Sequence, residues 1–161
     1  MREINSPAEF AELMKECVAQ VKYYVDKIKD KTGIVIPYPK VTFALKGTTA
    51  GVAYCGRNLI SFSPTLLREN ADTFLQQATG HEVAHLATYA KYGRVRPHGD
   101  EWGRIMWCLG LPASRCHNYD TSNVPALVGR VKRPSSQPPQ IIKVNHMQIR
   151  PTGIGNVVEF D

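Results

Sequence analysis

The sequence predicts an α+β fold in which a small antiparallel sheet packs against about four helices. Three observations carry that prediction. Apolar residues recur at helical spacing from Phe10 to Ile28. Three short segments of alternating apolar residues follow between Lys40 and Ser63. A second long helical stretch then runs from Asn70 to about Tyr92.

Each element has its own local cause. Ser6-Pro7-Ala8-Glu9 is a helix start: Ser6 can cap, Pro7 suits the first helical position, and Glu9 completes a capping box. Phe10, Leu13, Cys17, Val21, Tyr24 and Ile28 then form one apolar stripe, and Gly33 ends the helix. A chain this short needs that stripe for its own core. Val41, Phe43 and Leu45 alternate, so Lys40 to Lys46 reads as a strand. Gly47 to Gly51 is a turn, Val52 and Tyr54 begin a second strand, Gly56-Arg57-Asn58 turns again, and Leu59 to Ser63 is a third. Tight turns between short strands predict an antiparallel meander. Ser63-Pro64 starts a short helix through Leu67. Asn70-Ala71-Asp72 caps the next helix, and Gly93 ends it. Trp102, Ile105, Met106 and Leu109 mark a last helix closed by Gly110, with Met106 and Trp107 read as core positions that could also wall a site.

Composition bounds the classes of function. One core fits in 161 residues, and 43% hydrophobic with 21% charged residues describes a globular chain. A net charge of +6 and a pI near 9.2 permit a polyanionic partner without demanding one. Met1 to Pro7 has no apolar core of a signal peptide, and no stretch is long enough to span a bilayer, so no membrane partner is expected. Cys17, Cys55, Cys108 and Cys116 form no CxxC pair, which fits a reducing cytoplasm. Cys108, Cys116 and His117 match no zinc spacing.

The chemistry concentrates in the second long helix. His81 and His85 lie four apart in His81-Glu82-Val83-Ala84-His85, so a helix puts both on one face, one turn apart. Two solvated surface histidines would be the plain reading. Leu75, Ala78, Val83, Leu86 and Ala87 argue against it, because they make the segment apolar, and buried imidazoles need partners. Glu82 sits where its carboxylate can reach a water on a shared ion, as the general base of a hydrolytic zinc site. Such a site takes three protein ligands and keeps one position open. A metzincin spacing would put Gly at 88 and His at 91, where this chain has Thr88 and Lys91. His98 is the preferred third ligand, since Gly99 lets the backbone turn toward the helix; Glu101 is the alternative. Asp100 and Glu101 otherwise serve either as partners for a ligand imidazole or as acids at a helix N-terminus. An edge strand beside the site could hold an extended peptide by backbone pairing.

Four blocks together resemble the SprT family, which includes bacterial SprT proteins and the metalloprotease domain of Spartan: Gly47 to Ala53, Ile60 to Leu67, His81 to His85, and Gly93 to Trp102. The likeness runs on through Met106, Leu109 to Ala113 and His117, covering roughly residues 8 to 120. It implies a zincin-like metalloprotease domain over residues 1–120, one zinc ion on His81, His85 and His98, Glu82 as general base, and protein or peptide substrates. Spartan-like members cleave proteins crosslinked to DNA, so the resemblance also implies DNA as a partner. SprT proteins usually continue into a zinc ribbon of four cysteines; Val124 to Asp161 has none, so residues 121–161 cannot form one. That tail holds five of the eleven prolines, reads as a basic linker from Arg130 to Pro139, and then shows short strand-like runs.

A rival function is a DNA-binding or regulatory adaptor with a structural zinc site. Lys91, Arg94, Arg96, Arg104, Arg130, Lys132 and Arg133 could meet phosphates, or simply form a solvated face. A small-peptide or amide hydrolase would use the same residues.

Overall fold

A computed structural model describes residues 2–124. The first helix, α1, spans Pro7–Thr32. Ser6 Oγ accepts the Glu9 amide at its start, and Gly33 closes it at φ 77° with its N–H on Lys29 O, so both ends fall where the sequence puts them. Leu13, Cys17, Val21, Tyr24, Val25 and Ile28 are its buried stripe.

The strands are β1 (Lys40–Thr42), β2 (Gly51–Tyr54) and β3 (Leu59–Phe62). They form one sheet in the order β1-β3-β2. The expected antiparallel meander is therefore corrected: β2 and β3 are an antiparallel hairpin, with Val52 opposite Ser61, but β1 runs parallel to β3, with Val41 opposite Ile60. The cause is loop length. A short 3-10 turn, Cys55–Arg57, closed by Asn58 in the left-handed region at φ 48°, folds β2 back onto β3. The link from β1 to β2 is too long for a tight hairpin and crosses the end of β3, where the Leu45 amide still reaches Phe62 O at 3.2 Å. Phe43 and Leu45 thus leave the ladder that their alternation suggested.

Two helices follow, α2 (Pro64–Glu69) and α3 (Ala71–Tyr92), and α4 (Asp100–Cys108) completes the described fold. Ser63 caps α2 through the Leu66 amide. Asn70 does not cap α3 with its side chain, as its type suggests it would. Its amide instead pairs with the Asp120 backbone, accepting the N–H at 2.8 Å and donating to the carbonyl at 3.1 Å. This pairing ties residues fifty positions apart.

The centre of the fold is α3, flanked by α1, α4 and β2. It is buried on nearly every side between Ala78 and Thr88, as a helix inside a core must be. Small residues permit this: a Cβ on Gly80 would collide with Leu111 and crowd Tyr24. Its buried hydroxyls are satisfied within the helix, Thr79 on Leu75 O and Thr88 on Ala84 O. Among the described residues no helix is long and apolar enough to cross a membrane. The tail readings, from the Arg130–Pro139 linker to the strand-like runs, lie outside the described residues.

Candidate metal centre

His81 and His85 project from one face of α3 with ring centroids 5.0 Å apart. The chain then leaves α3 at Gly93 (φ 73°) and returns His98 to that face. The turn is made differently from the expectation. His98 itself is in the left-handed region, at φ 59°, whereas Gly99 is extended. Gly99 matters by closeness: a Cβ there would lie 3.1 Å from Arg96 O, which accepts the Gly99 amide.

The result is convergence. His98 Nε2 lies 3.0 Å from His81 Nε2 and 3.2 Å from His85 Nε2. Nitrogens on one tetrahedral ion at ~2.0–2.1 Å would stand about 3.3 Å apart, so the rings are already near ligand spacing. These three residues are the group among the described residues that could hold a metal ion, and Glu101 is not part of it. Burial pushes His81 well below the usual imidazole range. His98 is pushed down to about 4, by burial first and then by the Arg115 charge. Neutral imidazoles keep a lone pair free for a cation.

Trp102 positions all three rings. It is 1% exposed, its indole centroid lies 4.9, 5.6 and 4.8 Å from those of His81, His85 and His98, and its Nε1–H points to His81 O at 3.4 Å. Helical spacing marked Trp102 only as core; nothing in a period reveals that one face of a core residue is made of ligands.

Glu82 is 3% exposed, between α3 and β2. A backbone hydrogen bond from Ala53 holds the carboxyl group, while Oε2 has no partner among the described residues. Burial raises the group to about 8. An orphaned buried oxygen next to three converging imidazoles is what a hydrolytic metal site would leave for its water, so the residues present fit the group. Gly51 makes the room: a Cβ there would stand 2.8 Å from Glu82 Cγ.

A cavity of about 340 Å³ opens beside His81 and Glu82. Met106 lines it from the core, and Leu111, Arg115, His117 and Tyr119 form its far wall. Trp107 is not core; it is 81% exposed, on a second hollow beside His98. Asp100 and Glu101 fall in the first turn of α4, where acids oppose the helix dipole. Among the described residues His117 joins no metal group; it bonds Thr48 O at 3.1 Å and the Tyr119 amide at 3.3 Å. That the segment from Leu111 to Tyr119 walls the cavity went unread in the sequence, since irregular backbone has no period.

A family model described as SprT-like matches residues 9–118. The chain belongs to the SprT-like family. Protein SprT of Pseudomonas aeruginosa (strain LESB58) is 52% identical over 85 residues, which are 52% of each chain. Protein SprT of Vibrio parahaemolyticus is 46% identical over 89 residues, 55% of this chain and 54% of that one. Protein SprT of Yersinia pestis is 35% identical over 125 residues, 77% of this chain and 72% of that one. The chain spans about half the length of the Pseudomonas and Vibrio relatives that it matches. No solved structure matches. The SprT-like match ends at residue 118 and so takes in every residue of the histidine cluster, along with Glu82 and Trp102.

Proposed function

We propose that this SprT-like chain is a zinc-dependent metallopeptidase, with His81, His85 and His98 as ligands of one zinc ion and Glu82 as general base. The observation that carries the reading is the unpaired Glu82 Oε2 beside three converging Nε2 atoms. A zinc ion held by His81, His85 and His98 would supply Lewis acidity for the hydrolysis of a peptide carbonyl. The remaining work belongs to the protein. The Ala53 backbone and the gap over Gly51 fix the Glu82 carboxylate in one position. Glu82 takes the water proton on Oε2 and passes it to the leaving amine. The test is a protein-cleavage assay on zinc-loaded wild type and Glu82→Gln. Cleavage by wild type alone supports the reading; equal cleavage by both sinks the role of Glu82.

The substrates we propose are proteins associated with or crosslinked to DNA. Lys91, Arg94, Arg96 and Arg104 support this, being exposed and without an ion pair among the described residues. A salt titration of DNA binding tests it. A steep slope that flattens when these four are neutralised supports phosphate contact, and no binding at low salt ends it. An adaptor with a silent zinc site would bind DNA equally well but leave the protein substrate intact.

A further inference from the structure

The segment from Leu111 to Tyr119 crosses the cavity as a strap, and it is fastened at both ends. At one end the Leu111 amide bonds Met106 O, and the Leu111 side chain fills the space left by Gly80, the residue before His81. At the other, His117 binds Thr48 O on the opposite wall. The Tyr119 N–H donates to Nδ1, so the His117 proton resides on Nε2 and points at that carbonyl. Tyr119 stacks on His117 at 4.2 Å and on Phe74 at 5.6 Å, and Asn70 grips Asp120 just beyond. Between these anchors Ser114 Oγ donates to Cys116 O at 2.8 Å, a tight turn with Arg115 at its tip.

Arg115 is therefore a guanidinium set at the rim by a pinned turn. Among the described residues it is the only lysine or arginine lining the cavity that contains His81 and Glu82. It is exposed, and no carboxylate among the described residues pairs with it. The one carboxylate among the described residues lining that cavity, Glu82, is buried and held by Ala53. An arginine fork matches a carboxylate with two parallel hydrogen bonds.

We propose that Arg115 is a specificity-determining residue that receives a substrate carboxylate in this cavity, directing the site to peptide bonds flanked by an acidic side chain or by a free C-terminus. The assignment rests on the metallopeptidase reading for its consequence, not for its binding event. It is tested by binding, on full-length Glu82→Gln protein loaded with zinc. The probes are fluorescein-labelled decapeptides of Ala, Gly and Leu carrying one Glu or one Gln, each with a free or an amidated C-terminus. Because the fork is exposed to water, the carboxylate is expected to tighten binding about fivefold. The preference disappears in Arg115→Ala and survives in part in Arg115→Lys. Preference for Glu in amidated peptides assigns the side chain; preference for the free end in Gln peptides assigns the terminus. Equal affinity for all four peptides, or a preference that persists in Arg115→Ala, overturns the proposal. So does a loss of DNA affinity in Arg115→Ala with peptide preference unchanged, which would make the group a phosphate contact. Wild-type cleavage of all four peptides with equal KM would remove the subsite and leave the peptidase standing. Selective binding with no cleavage of any peptide would do the reverse.

Discussion

Glu82 shows how much one residue's surroundings decide. As a plain carboxylate it would ionise at about 4.5; burial pushes it up to about 8, against the downward pull of the Ala53 hydrogen bond. In chelator-treated protein this gives a signed prediction. At low pH the group is protonated whether the chain is folded or not. As pH rises from about 4.5 toward 8, the unfolded chain releases the proton first, so folded stability falls and then levels off. Thermal melts should show metal-free Glu82→Gln gaining on wild type as pH rises from 5 to 8; parallel curves would refute the burial argument. With zinc present the same variant should retain one ion per chain and lose cleavage by about 10²–10⁴-fold. Trp102→Ala removes the surface against which the three imidazoles rest. It should cost about 3–5 kcal/mol in denaturant melts and weaken zinc binding as well. A stable Trp102→Ala with unchanged zinc affinity would show that the rings hold themselves. At this scale spacing put His81 and His85 on one helix face and Gly99 pointed to His98, and the structure brings these three imidazoles together. The sequence did not disclose Trp102 or the left-handed backbone of His98, because neither follows from residue type.

At the scale of elements, spacing was a good guide wherever the structure is local. Both ends of α1 follow from a capping serine and a glycine, and the end of α3 from Gly93. The sheet order was not readable, since alternation tells which residues share a face but not which strand is the neighbour. Asn70 was misjudged for a related reason: a capping type can find a distant partner, here Asp120. The contact between β2 and α3 carries a test of its own. In Gly51→Ala the added methyl would press on Glu82 Cγ at 2.8 Å and Phe62 Cδ1 at 3.0 Å. It should cost about 1–3 kcal/mol and lower kcat at least tenfold by displacing the carboxylate, with zinc content unaltered. Unchanged kcat would mean that the space over Gly51 has no bearing on Glu82.

Across the molecule, the parts that bring chemistry together come from far-separated stretches. One helix supplies two imidazoles and the carboxylate, a loop seventeen residues past His81 supplies the third imidazole, and the strap beyond α4 closes the cavity. Family membership agrees with that layout. The central claim is that these imidazoles grip one ion. Zinc-edge X-ray absorption on the purified full chain tests it most directly. The account predicts about one zinc per chain, with about three imidazole nitrogens and one further light atom at ~2.0–2.1 Å and no sulfur. Sulfur scattering near ~2.3 Å, or a chain that retains no zinc after purification in its presence, would contradict it.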